Sequence, residues 1–189
     1  MHALLIIDQQ KGIDFPKLGS RNNHHAQVCM LELLGVWRER AYPVIHVKHS
    51  SVEPDSAFWP KQQGYEFKPE FEPLDNEYLV IKTVPCAFTH SYLERLLQYI
   101  GTKSIVLVGA STNNSIEATA RAAGNLGLNA FVVENACFTF DKRDYFGTLR
   151  CAHEVHAMSL ANLNGEYARV LHSSELMELI NEYAKKGYK

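Results

Sequence analysis

VLVGASTNNSIEATARAAGNLG, residues 106–127, is an apolar run that gives way to small and polar residues and then turns helical. Val106, Leu107 and Val108 continue the run from Ile105, and Gly109 to Thr112 replace bulk with side chains that let the backbone turn sharply. From Asn114 onward Ala118, Ala120, Ala122 and Ala123 favour helix, whose first-turn N–H groups have no intrahelical partner. Ser115 stands at the mouth of that helix, where an anion or a developing oxyanion is stabilised. A plain strand–turn–helix joint capped by Thr112, Asn113 or Asn114 has the same local pattern. What favours a site is agreement with two distant residues, Asp8 and Lys82, each closing another apolar run.

Outward from this stretch, short apolar runs alternate with helical patterns. Strands are expected near Ala3–Ile7, Pro43–Val47, Tyr78–Ile81, Ser104–Val108, Ala130–Glu134 and Tyr167–Leu171, and helices near 22–40, 89–100, 114–126, 150–162 and 173–186. This alternation predicts an α/β fold, a three-layer α/β/α sandwich with a six-stranded parallel sheet covered on both faces. In the common order 3-2-1-4-5-6 the first and fourth strands are neighbours, and their connections leave on opposite sides to open a crevice at their carboxyl ends. Asp8 and Ser115 then flank the crevice, and Lys82 reaches back toward it from the third strand.

Residues 1–189, 46% hydrophobic, fit one domain, with no Pro/Gly/Ser-rich linker or charge block dividing them. A net charge of −2 from 19 basic and 21 acidic residues offers no field for nucleic acid or an anionic membrane, so a small-molecule substrate is expected. No apolar run approaches the ~20 residues of a membrane-spanning helix, and MHALLIIDQQ lacks signal-peptide features, which predicts a soluble, cytoplasmic protein. Cys29, Cys86, Cys137 and Cys151 form no C-x-x-C pair and read as free thiols. Residues 49–73 lack periodicity yet carry Phe58, Trp59, Tyr65, Phe67 and Phe71. Such a long loop is expected to cover the site or to join subunits of a homo-oligomer, with packing on the sheet edge as the alternative.

LLIIDQQ at the start, IKTVPCAF in the middle and GASTNNSIEATARAAGNLG, followed by VVENACFTFD and VHAMSLANLNGE, resemble the isochorismatase-like hydrolases, or cysteine hydrolase superfamily, in order and spacing over nearly the whole chain. The resemblance implies a cofactor-independent hydrolase and a triad of aspartate, lysine and cysteine. Asp8 and Lys82 fall on the first two positions. The third departs, because the family's G-x-x-T-x-x-C reads Gly109 to Ser115 with serine at its end. An ordinary cysteine, with a pKa of about 8.5, is roughly 3% thiolate at pH 7, whereas a serine must lose its proton during attack. True isochorismatases resemble this chain in lacking the cysteine, and there the strand-end aspartate is implicated in proton transfer to a vinyl ether. The resemblance also implies a cis peptide at Ala110–Ser111.

Gln10, Phe15, Arg21, Trp59 and Phe88 flank the ends of the first and third strands and are candidate substrate-binding residues, with packing as the alternative for each. Ser111, Asn114 and Ile116 complete that set around the turn, the N–H groups near Ser115 and Ile116 being the expected oxyanion donors. The family's amidase branch has an Asp-x-His metal site after the second strand. This chain has His46 and His49 there, on opposite faces by strand alternation, so no metal is expected. His153 and His156 read as a surface or interface pair. Cys86 is either a displaced nucleophile or a small buried hydrophobe. The rival from another class is a catalytically silent binding protein that keeps the Asp8–Lys82 pair.

Overall fold

Hydrogen bonding gathers the apolar runs into one sheet. The computed structural model describes residues 2–185, with strands β1 (Ala3–Ile7), β2 (Val44–His49), β3 (Tyr78–Lys82), β4 (Ser104–Ala110), β5 (Asn129–Phe138), β6 (Lys142–Arg143), β7 (Leu149–Arg150) and β8 (Arg169–Leu171). Helices are α1 (Ala26–Glu39), α2 (Leu93–Ile100), α3 (Glu117–Asn125), α4 (Ala152–Leu163) and α5 (Ser173–Lys185); residue 186, the end of the expected last helix, lies outside the described residues. The parallel sheet runs β3-β2-β1-β4-β5-β8, so its sixth strand is the eighth in the chain. The two extra strands form a separate antiparallel hairpin, β6–β7, which DKRDYFGTLR does not announce because it lacks apolar alternation.

Strand alternation builds the three layers. Leu4, Ile6, Val106 and Val108 face Met30, Leu33 and Trp37 of α1 and Leu176 and Ile180 of α5. Leu5, Ile7, Ile105 and Leu107 face Leu93 and Leu97 of α2, Ala120 and Ala123 of α3, and Leu163 of α4. These side chains are nearly all fully buried, so β1 and β4 read as continuous apolar runs.

Element ends differ from expectation for identifiable reasons. The helix expected from residue 22 begins at Ala26 because Asn22 is tied to the end of β5: its N–H donates to the Thr139 carbonyl (3.2 Å) and its side-chain oxygen accepts from Thr139 N–H (2.8 Å). The helix expected from 89 begins at Leu93, after His90 takes a left-handed φ of 55°. β5 runs on to Phe138, pairing Cys137 with Gly109 and Phe138 with Ala110 after a register shift. Within residues 49–73, Phe71 is buried in the α1-side core and Phe67 packs edge-on against His46, while Phe58 stands edge-on against His49. The aromatics thus divide between core and site edge. A Cβ on Gly12 or Gly64 would lie 2.5 or 2.1 Å from the Ala57 carbonyl oxygen, so backbone rests directly on backbone where this segment is seated. Among the described residues no helix is long and apolar enough to cross a membrane.

Candidate active site

Three strand ends and one helix mouth meet at the carboxyl edge of the sheet. Asp8 follows β1 in a left-handed conformation (φ 57°), which aspartate tolerates better than most residues, while its N–H donates to the Val47 carbonyl at 2.9 Å. Lys82 closes β3. Between β4 and α3 lies a turn of π-helical geometry, Thr112–Ile116, preceded by a cis peptide at Ala110–Ser111. Gly109, with φ 125°, lets β4 approach β1 so closely that a Cβ would sit 2.2 Å from the Ile7 carbonyl oxygen.

Asp8, Lys82 and Ser115 are 4%, 1% and 4% exposed, and they touch one another. Lys82 Nζ donates to Asp8 Oδ2 at 2.9 Å and to Ser115 Oγ at 3.1 Å, and Ser115 Oγ donates to Asp8 Oδ2 at 2.7 Å. Asp8 Oδ1 is buried without a hydrogen-bond partner. A carboxylate oxygen so placed is costly unless it serves something that binds.

Sequence reasoning passed over a fourth contact. His49 Nδ1 lies 3.3 Å from Lys82 Nζ, and an ammonium has only donors, so this nitrogen is the acceptor and the ring proton sits on Nε2. Burial, and then the Lys82 charge, push the His49 pKa down from the ordinary histidine value. Alternation placed His49 opposite His46, but only the β2–β3 register, His49 beside Lys82, brings it here.

The other expected residues have diverse settings. Gln10 donates to the carbonyls of His49 and Tyr65 and accepts from His49 N–H, so its amide is committed to holding the chain. Arg21 lies over the Phe138 ring, 3.9 Å from its centroid, and 3.5 Å from Asp14. Phe15, Trp59, Phe88 and Ser111 are half-buried and Asn114 is exposed. Ile116 corrects the expectation: its side chain is 0% exposed in the α3-side core and its N–H is taken by the Ser111 carbonyl at 3.2 Å, so it has no donor for an oxyanion.

His153 and His156 are not a surface pair. His156 is 6% exposed, with Nδ1 2.8 Å from Thr112 Oγ1, while His153 is exposed. Burial, with help from His153, lowers the His156 pKa to about 4. The single Ser159 hydroxyl proton lies between two acceptors, the Thr112 carbonyl at 3.0 Å and Glu117 Oε2 at 2.6 Å, so α4 grips the turn that carries Ser115. Among the described residues no three His, Cys, Asp or Glu side chains come together as a metal set. His46 is turned away to Glu77.

A cavity of about 670 Å³ lies beside this cluster between the β6–β7 hairpin and α4, lined in part by Asn113, Glu117, Arg150 and Met158. It includes none of Asp8, Lys82 and Ser115. Size does not outweigh chemistry here, because buried, mutually bonded ionisable groups at a topological switch point are the stronger mark of a site.

The isochorismatase domain pattern matches residues 2–175. The uncharacterized isochorismatase family protein YrdC of Bacillus subtilis is 36% identical over 97% of this chain and 96% of its own length. An isochorismatase-family crystal structure from Chromobacterium violaceum superposes with a TM-score of 0.92 at 47% identity, covering 96% of this chain and 94% of that one. An isochorismatase from Pseudomonas putida superposes with a TM-score of 0.84 at 29% identity, covering 92% and 89%.

Proposed function

The chain belongs to the isochorismatase family, and on that premise we propose that it is a hydrolase of small carbonyl compounds, cleaving an amide or related C–N bond with Ser115 as nucleophile in place of the family cysteine. One observation carries this reading: the Ser115 hydroxyl points at Asp8 Oδ2 from 2.7 Å, a nucleophile already bonded to its base. Ser115 Oγ attacks the carbonyl carbon as Asp8 Oδ2 takes the hydroxyl proton. Lys82, bonded to both, holds the pair in line and offsets negative charge as it develops. Collapse of the tetrahedral adduct breaks the C–N bond, the leaving nitrogen takes a proton, and water releases the acyl group from Ser115 by the same steps in reverse roles.

The unpartnered Asp8 Oδ1 favours a second reading, in which Asp8 delivers a proton to a vinyl-ether carbon and Ser115 forms no bond. A panel of activated esters, amides, ureides and isochorismate separates the two. On the first reading turnover falls at least ~100-fold in Ser115→Ala and in Asp8→Asn, whereas Ser115→Cys stays active and becomes sensitive to iodoacetamide at residue 115. Isochorismate turnover that survives Ser115→Ala but is lost in Asp8→Asn selects the second. Absence of turnover in every variant, with ligand-induced stabilisation by a small carboxylate, leaves a binding protein and sinks both.

A further inference from the structure

The serine needs a better base than its neighbours provide. If Asp8 keeps the Ser115 proton, the Lys82 ammonium, 1% exposed, is left beside a neutral acid, and neutralising one partner of a buried ion pair strands the other. Lys82 has three N–H bonds and three acceptors within reach: Asp8 Oδ2, Ser115 Oγ and, at 3.3 Å, His49 Nδ1. The third is outside the triad implied by the family resemblance, and it is the one whose ring is only half-buried.

Resting on the serine-hydrolase reading, we propose that His49 is the proton store of this site, receiving through Lys82 the proton that Ser115 gives up. Ser115 Oγ–H passes its proton to Asp8 Oδ2. Lys82 hands one N–H proton to His49 Nδ1 and, after its freed lone pair turns toward Oδ2, takes the proton that Asp8 holds. The sum moves one proton from Ser115 to His49, turns the ring into an imidazolium and leaves Asp8 a carboxylate and Lys82 an ammonium. When the C–N bond breaks, the same path runs backward and the proton goes to the leaving nitrogen.

The surroundings of His49 suit this role. Its N–H and carbonyl are both bound by the Gln10 amide, and Phe58 stands edge-on to the ring, so the imidazole is held in register with Lys82. The charged groups facing it are Lys82 from β3 and Asp8 from the end of β1. Burial and the Lys82 charge keep the ring unprotonated near neutral pH, so its acceptor nitrogen is free, and the Asp8 carboxylate is the group that favours the imidazolium once the proton arrives. An imidazole is also an intrinsically stronger base than a carboxylate. His49 acts through Lys82 without touching substrate, so it is a positioning residue that also holds a proton.

The test is a double-mutant cycle with 4-nitrophenyl acetate as probe. His49→Gln keeps an oxygen acceptor for Lys82 but cannot store a proton. In the Ser115 protein it is expected to lower kcat about 100-fold with KM little changed and to erase the rising limb of the pH–rate profile. In the Ser115→Cys background the same change is expected to cost less than about 3-fold, since a thiol near its own pKa needs no relay. Equal losses in both backgrounds, or an unshifted pH limb, overturn the relay while leaving the serine hydrolase standing. No turnover by either the Ser115 protein or Ser115→Cys overturns the hydrolase reading itself, and the relay with it. A measurement on the unmutated protein guards against a misfolded variant. Phenylboronic acid forms an anionic tetrahedral adduct on a serine and releases its proton, so ¹⁵N NMR should show the His49 ring gaining a second N–H when the adduct forms. A ring that stays neutral in the adduct counts against the relay, and failure to form the adduct counts against the nucleophilic serine beneath it.

Discussion

At Gly109 a single hydrogen in place of a methyl group determines whether β1 and β4 can meet below the site. Its φ of 125° is open to glycine, and a Cβ would lie 2.2 Å from the Ile7 carbonyl oxygen, inside the backbone of the neighbouring strand. Gly109→Ala is therefore predicted to lower stability by about 3 kcal/mol or more, read as a fall in the urea midpoint. An unchanged midpoint would show that the strands part at little cost. Asp8 and Lys82 were legible because each sits where an apolar run stops, Ser115 because a helix opens just beyond another, and strand ends in α/β sheets converge. His49 was not, since its neighbour is set by sheet register, which no local pattern encodes. Gln10 was ambiguous for a related reason: a polar residue after β1 reads equally as a ligand contact or a packing residue, and its amide is bonded to the backbone at His49 and Tyr65.

The turn Thr112–Ile116 draws its shape from an element forty residues on. His156 and Ser159, three apart on α4, share one face and hold the Thr112 hydroxyl and carbonyl respectively. Thr112→Val keeps the shape of the side chain but leaves the buried His156 Nδ1 without a partner, which is predicted to cost about 1–3 kcal/mol. Loss of the grip should also loosen Ser115, so kcat should fall more than KM rises. A variant with wild-type stability and rate would show that α4 merely packs against the turn. Alternating apolar runs made the six sheet strands readable, with ends displaced by a few residues. The π turn left no trace in the sequence, because small polar residues suit a cap and a widened turn equally, and the extension of β5 was hidden by the polar Glu134 and Asn135, which interrupt the apolar run before pairing resumes at Cys137 and Phe138.

Across the whole molecule, buried titratable groups make the fold acid-sensitive in two stages. His2, His46, His49 and His156 all have pKa values pushed down, chiefly by burial, so the unfolded chain binds protons that the native state refuses. The penalty is absent above about pH 6.5 and grows as pH falls; for His156, held at about 4, it reaches about 3 kcal/mol at the lower end of that window. Glu77 governs the second stage. Burial pushes its carboxyl up, but Arg38, the Leu74 N–H and His46 outweigh burial and hold it at about 2. Its oxygens accept from Arg38 Nε at 2.7 Å and His46 Nε2 at 2.8 Å, fastening α1 and β2 to the approach of β3. A carboxyl depressed in the folded state stabilises fully above its unfolded pKa of about 4.5 and loses that contribution as pH falls toward 2. Urea titrations from pH 7.5 to 3.5 should therefore show stability falling first between about 6.5 and 4.5, with His156→Gln removing up to about one proton, or 1.4 kcal/mol per pH unit, from that slope. Glu77→Gln should be less stable than wild type by about 2–3 kcal/mol at pH 7, the gap narrowing below about pH 4.5 as the wild-type carboxyl takes its proton in the unfolded chain while the native state still refuses it. A gap that stays constant down to pH 3.5 would mean that the Glu77 charge does not hold the sheet edge and that its hydrogen-bonding shape alone does.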